Sequence, residues 1–375
     1  MSDRLRRRIA LAAACLLAAG AGACDAADGR PGDPPGPPAG HAVVLLYHHV
    51  AGDTPASTSV TPGTFEQHLE HLAANDYRVL SLSRVIEGLR NPEGAPLPPR
   101  AVAITFDDAY ESVYREAAPR LSRRGWPFAV FVSTDYLDRG YGHYMSWDEL
   151  RELEAGGAEI GNHSLAHGHY VHRRPGEAED AWRNRISADI RGAQQRLETE
   201  LDAPLRVLAY PYGEFDPALA ALTRELGFVG FGQQSGPAGP GMDPATLPRF
   251  PMASRYADVD GLAEKLRTVP FDVTVLSDVG PVLTPDAGAP TLRLRLGPAS
   301  ARLDALNCFV TGQGAPRVRW LDRAAGEVEV TAGAALPVGR SKYTCTAPAA
   351  AGGGVFHWYS HLWMKPPAKG DWYPD

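Results

Sequence analysis

Seven short apolar runs, at 42–47, 101–106, 128–132, 158–161, 206–210, 228–231 and 247–250, alternate with stretches of helical patterning. Runs that are apolar at nearly every position suit strands buried on both faces, and strands that alternate with helices build a parallel sheet or barrel. The residues at the C-terminal ends of these runs are equally constraining. His48-His49, Asp107-Asp108, Ser133-Thr134, Asn162-His163-Ser164 and Pro211-Tyr212-Gly213 stand directly after the first five. In parallel barrels the C-terminal strand ends carry the chemistry, so these residues are expected on one rim. Thr64 is expected to cap a helix carrying Phe65, Leu69 and Leu72. Ser146-Trp147-Asp148-Glu149 reads as a capping box, and 187–200 as an amphipathic helix. After Pro270 the period falls to two, at 291–296, 317–320, 327–330 and 355–363, which predicts a small antiparallel β-sandwich-like domain.

The ends of the chain belong to a different logic. Arg4, Arg6, Arg7 and Arg8 precede a short apolar stretch and then small residues up to Cys24. This is the pattern of an export signal, and the stretch is too short for a stable membrane span. Residues 1–23 are therefore read as a signal peptide of lipoprotein type, with Cys24 as the lipid-bearing residue and the membrane as a partner; Ala21-Gly22-Ala23 equally suits ordinary cleavage and secretion. Between Asp25 and Gly40, nine of sixteen residues are Gly or Pro, a tether (24–40) that would hold the protein off a membrane at the periplasmic or cell-surface side. Cys308 and Cys345 are the cysteines that remain beyond Cys15 and Cys24, and in an oxidising compartment they are expected to pair. A loop of that length adds roughly 4 kcal/mol on the chain-entropy estimate. The net charge of −7, without a basic stripe, excludes a nucleic-acid partner. Nothing in the sequence fixes an oligomeric state.

Asp107-Asp108 closes one expected strand and His163-Ser164-Leu165-Ala166-His167 follows another. Two histidines four apart face the same way if the chain turns helical, so one carboxylate and two imidazoles could share a divalent ion with open positions. The second carboxylate is then free to deprotonate water. Alone, paired aspartates are often a helix cap and His-x-x-x-His a solvated helix face; at neighbouring strand ends they point to a hydrolytic metal centre. A glycosidase would need its carboxylates about 5–9 Å apart across a sugar, and an oxygenase would leave the second aspartate idle.

Thr105-Phe106-Asp107-Asp108 with His163-Ser164-x-x-His167 resembles the NodB-homology polysaccharide deacetylases, carbohydrate esterase family 4. The resemblance covers roughly 41–271 and implies a distorted (β/α)7 barrel that hydrolyses linear amides on a polysaccharide. It assigns the general base to Asp107 and the metal to Asp108, His163 and His167, with zinc expected and nickel, cobalt or iron as alternatives. Two departures stand out. The family's usual Arg before the Pro-Tyr pair is replaced by Ala209, and its late Leu-x-His acid is missing before Pro270. Both, together with Tyr47-His48-His49-Val50 and Leu247-Pro248-Arg249, make the chain similar to the poly-β-1,6-N-acetylglucosamine deacetylase branch. That similarity implies His48 as general acid, Arg249 as the partner of Asp107, and the Tyr212 backbone N–H as an oxyanion donor. His48 and His49, as neighbours on a strand, point opposite ways. The expected products are acetate and a glucosamine unit; peptidoglycan, chitin-type or O-acetylated polysaccharides are alternative substrates, and a non-catalytic polysaccharide-binding protein is the alternative class.

The remaining histidines and aromatics are read as structural. His68 and His71 are expected to be solvated on a helix, and His169 and His172 on the surface. His357 and His361 lie four apart in a strand, roughly 13 Å, too far to share one ion. Trp358, Tyr359 and Trp363 are expected in the core of the 272–375 domain, with a sugar-stacking platform as the alternative.

Overall fold

The computed structural model describes residues 37–297 and 300–369. The export signal, Cys24 and the tether as far as residue 36 lie outside the described residues. Among the described residues no helix is long and apolar enough to cross a membrane.

Seven strands of an eight-stranded parallel sheet run round the barrel: β1 (Ala42–Tyr47), β2 (Ala101–Phe106), β3 (Ala129–Val132), β4 (Glu159–Asn162), β5 (Val207–Ala209), β6 (Val229–Phe231) and β7 (Phe250–Pro251), and the short eighth, Arg78–Val79, pairs with β2 off their path. Their order is β7-β1-β2-β3-β4-β5-β6. The barrel nearly closes because one segment serves both edges: Leu247 bridges Phe231, and three residues later Phe250 pairs with Leu45. Every residue of β1 and β2 is buried, since helices cover the outside and side chains fill the inside. The expected runs thus become strands, trimmed by one residue or more at several ends.

The β-rich region contributes eight more strands: β8 (Thr268–Pro270), β9 (Val273–Val275), β10 (Thr291–Leu296), β11 (Asn307–Val310), β12 (Arg317–Asp322), β13 (Glu327–Thr331), β14 (Gly339–Pro348) and β15 (Phe356–Lys365). They make two sheets, β8-β15-β14-β11 and β9-β10-β13-β12. Alternation in β10 sends Leu292, Leu294 and Leu296 into the core, while Arg293 and Arg295 pair outside with Glu329 and Glu327. Those leucines meet Val310, Tyr343 and Trp363 of the other sheet. Cys308 and Cys345 stand opposite each other on β11 and β14 and form the disulfide. The two parts also share a core, since Leu362 and Met364 of β15 pack with Trp182, Leu208 and Tyr210 of the barrel.

Several local expectations need correction. The cap of helix Pro62–Ala74 is Thr61, whose hydroxyl accepts from the Thr64 N–H, because Pro62 favours the first helical position. The helix expected at 187–200 begins eight residues earlier, at Glu179, so that Trp182 can join the apolar face. Trp363 is fully buried, and Trp358 packs edge-on against Phe250. Trp363 is therefore a core residue, while Trp358 and Tyr359 are half-buried and line a cleft beside the barrel.

His68 is not solvated. It is fully buried, its Nδ1 against the Tyr47 hydroxyl at 3.0 Å and its Nε2 on the Ala257 carbonyl at 2.7 Å. Burial lowers its imidazole to about 4, and His41 behaves alike. Both are neutral in the fold, whereas an unfolded chain takes up those protons near pH 6.5. Their contribution is complete above pH 6.5 and is lost as pH falls toward 4. Urea unfolding at a series of pH values should show this decline, and His68→Gln should reduce its slope by about one proton; an unchanged slope would refute the assignment.

Candidate active site

Asp107 and Asp108 follow β2 and diverge at once. Asp108 (φ 74) and Ala109 (φ 57) are both left-handed, a conformation that costs non-glycine residues about 1–2 kcal/mol each. The turn throws the Asp107 side chain into the barrel and the Asp108 side chain toward the loop after β4. Such strain persists only where surrounding bonds over-determine it, and the Asp107 N–H donation to the Tyr47 carbonyl at 2.9 Å is one of them.

His163 and His167 converge without a helix, contrary to the sequence expectation. Ser164 (φ 81) and His167 (φ 55) are left-handed, and the Ser164 hydroxyl accepts the His167 N–H at 2.7 Å. The loop is held from outside by Asn162, whose Oδ1 accepts from Ser164, and by Asp189, which accepts from the Leu165 N–H and the Tyr170 hydroxyl. His163 Nδ1 donates to the Ala209 carbonyl at 2.8 Å, which leaves Nε2 as a lone-pair donor. The Ala209 backbone thus orients the imidazole.

The Nε2 atoms of His163 and His167 lie 3.1 Å apart, and 3.2 and 3.3 Å from Asp108 Oδ1. Asp108 Oδ1 is buried, and no donor reaches it with hydrogen-bond geometry. Adjacent ligand atoms around a tetrahedral ion with bonds of about 2.0–2.1 Å are separated by about 3.3 Å. Three converging lone pairs at this spacing, one an orphaned buried carboxylate oxygen, fit a divalent ion. Among the described residues this is the group of three such donors that converges on one point. The local field agrees. Burial would lower the His163 imidazole, yet Asp107 and Asp108 together raise it: the pocket attracts positive charge.

Asp107 is completely buried and gripped by Arg249, itself completely buried, with Nη1 to Oδ1 at 2.7 Å and Nη2 to Oδ2 at 2.8 Å. Arg249 is fixed in turn by the Gly232 carbonyl at 3.0 Å and lies over the Phe131 ring. Burial pushes the Asp107 carboxyl up, but Arg249, His163 and His48 outweigh it and hold the group below the usual carboxylate range. His48 is half-buried at the end of β1, close enough to both aspartates to influence them. His49 is buried and stacks on Tyr110, ring centroids 3.6 Å apart. Tyr212 (φ 58) sits in the Pro211–Gly213 turn, its ring edge-on to His167 at 4.4 Å.

Four further residues join this rim. His169, expected on the surface, stacks on Tyr212 at 4.0 Å and bonds the buried Glu214 at 2.8 Å. Arg340 of β14 bonds Glu214 and lies over the Tyr212 ring. Burial and the Asp108 charge raise the Tyr110 phenol. The short spacing His167-x-His169 is a usable signal; for Glu214, Arg340 and Tyr110 the sequence carries none. His357 bonds the backbone carbonyls of Pro270 and Ser300, and His361 bonds Tyr359; both serve the β-rich region.

Residues 94–231 match the polysaccharide deacetylase family. A poly-β-1,6-N-acetyl-D-glucosamine N-deacetylase of Staphylococcus epidermidis is 26% identical over 232 residues, 56% of this chain and 78% of that protein. The protein of the same name from Escherichia coli K12 is 24% identical over 223 residues, 50% of this chain. The chain spans only a third of that relative's length. Among solved structures, IcaB from Ammonifex degensii superposes with a TM-score of 0.53 at 24% identity, covering 62% of this chain and 99% of that one. The Streptococcus pyogenes deacetylase PplD in complex with acetate gives 0.53 at 21% identity, covering 60% and 98%. These likenesses show a common barrel. Together with the sequence match across 94–231, they show that this part of the chain is similar to the polysaccharide deacetylase family.

Proposed function

We propose that the protein is an exported, metal-dependent N-deacetylase of an N-acetylglucosamine polymer, that residues 41–271 carry the reaction, and that Cys24 anchors it to a membrane. The observation that carries the reading is the buried Asp107–Arg249 pair beside the Asp108–His163–His167 cluster on one rim. The names of the relatives support the polymer, and the signal pattern at the N-terminus supports export.

A divalent ion held by Asp108, His163 and His167 would supply Lewis acidity, polarising the acetamide carbonyl and acidifying water enough for a weakly basic carboxylate. Arg249 keeps Asp107 ionised and fixes its plane, so the carboxylate is ready to take a proton from the attacking water. The resemblance gives the Tyr212 N–H to the developing oxyanion, where a fixed donor would stabilise the transition state more than the ground state. His48, half-buried at the end of β1, delivers a proton to the departing nitrogen as the C–N bond breaks. Water is consumed, and acetate and a free amine leave.

Chelator treatment is expected to abolish acetate release from N-acetylglucosamine oligomers, and added zinc, cobalt or nickel to restore it. A panel of β-1,6 and β-1,4 oligomers tests the polymer, with the β-1,6 series expected to turn over faster. Full activity in metal-stripped protein would overturn the metal assignment, and a preference for β-1,4 oligomers the polymer.

A further inference from the structure

The turn that carries Tyr212 is held from a part of the chain about 130 residues away. Tyr212 (φ 58) and Gly213 (φ 70) are consecutive left-handed residues, and a Cβ at position 213 would meet the Gln233 side chain at 2.4 Å. Such a turn is not stable by itself. On its far side Glu214 is about 1% exposed, a buried carboxylate that needs cationic partners. It has His169 Nδ1 at 2.8 Å and Arg340 Nη1 at 3.4 Å. The Arg340 guanidinium also stands 5.1 Å from the centre of the Tyr212 ring, within cation–π range. Two residues along the same face of β14, Lys342 Nζ donates to the Gln233 carbonyl at 2.6 Å, next to the contact with Gly213. The Tyr212 ring then touches His167.

We propose that β14 of the β-rich region completes the active site, with Arg340 as a positioning residue that sets the Tyr212 turn and, through the ring, the orientation of His167. This rests on the deacetylase reading for its kinetic consequence but not for its structural one. The guanidinium does two jobs that a compact ammonium combines less well: it pairs with Glu214 and stands over an aromatic face. The β-rich region is thereby part of the catalytic unit as well as a neighbour of the barrel.

The test compares Arg340→Ala and Arg340→Lys with the full-length wild-type chain. Displacing a group at a reacting centre by about 1 Å costs up to about 10²-fold. Arg340→Ala is expected to lower kcat by about tenfold, with KM within about twofold and bound zinc unchanged. Arg340→Lys should recover thermal stability but only part of kcat. Amide hydrogen exchange at 212–214 should quicken in Arg340→Ala while β1 and β2 stay protected. Wild-type kcat in Arg340→Ala, unchanged exchange in the turn, or a loss spread evenly over the barrel would each overturn the proposal. Absence of acetate release from the wild type would instead count against the deacetylase reading, while the exchange result still decides the role of Arg340 in the turn.

Discussion

Asp107→Asn is expected to lower turnover by about 10²–10⁴ with metal content unchanged. The amide keeps the shape of the carboxylate but cannot take a proton, and the three metal donors belong to other residues. The substitution also strands the Arg249 charge at a site with no exposure, and breaking a buried pair this way costs about 3–5 kcal/mol. The melting temperature should therefore fall. The double variant Asp107→Asn/Arg249→Met removes the stray charge and should recover stability without recovering turnover. Stability and chemistry then separate within one series. Arg249→Lys adds a sign: without the bidentate grip the Asp107 carboxyl rises, so the acid limb of the pH–rate profile should move to higher pH. Turnover of Asp107→Asn within about tenfold of the wild type would remove the base assignment.

His48→Ala carries the second large effect, a fall of about 10²–10⁴ in turnover of N-acetyl sugars with metal still bound. His49→Ala should do much less to the chemistry, because its ring is buried against Tyr110. The leaving group provides the discriminating readout. A glucosamine nitrogen must be protonated to depart, whereas an activated aryl oxide needs no proton, so an aryl acetate should be hydrolysed by His48→Ala far better than an amide. Equal losses on both substrates would mean that His48 acts on binding or metal geometry. An active His48→Ala would return the acid to another group; His357 is already committed to the carbonyls of Pro270 and Ser300.

The Gly/Pro tether and the export pattern stay readings of sequence alone, since residues up to 36 lie outside the described residues. Within the barrel, the strands are legible because burial on both faces forces continuous apolar runs, and that pattern survives any detail of packing. The polar residues after those runs are legible for the same reason: a parallel barrel has one chemical rim. The spacing of His163 and His167 correctly makes them neighbours, but by a helical argument that does not hold. Two left-handed residues and a serine hydroxyl bring the rings together, and local periodicity says nothing about such a loop. His68 is misleading in the sequence because its helix looks amphipathic with histidine at the margin, while the polar tip finds Tyr47 and the Ala257 carbonyl inside the core.

What the sequence by itself determined is the set of parts: a parallel α/β barrel, a period-two region with one disulfide, and an aspartate pair with two histidines at strand ends. Each is a short-range pattern, set by which face of an element must leave water. The resemblance already paired Arg249 with Asp107, but the tertiary structure decided how that pair is reached and added the Arg340–Glu214 pair. Arg249 reaches Asp107 because the segment from Leu247 to Phe250 seals the barrel between β6 and β1, and Arg340 reaches Glu214 because β14 lies beside the Pro211–Gly213 turn. A buried carboxylate requires a cation but does not specify where in the chain it comes from, and that choice is made by long-range packing.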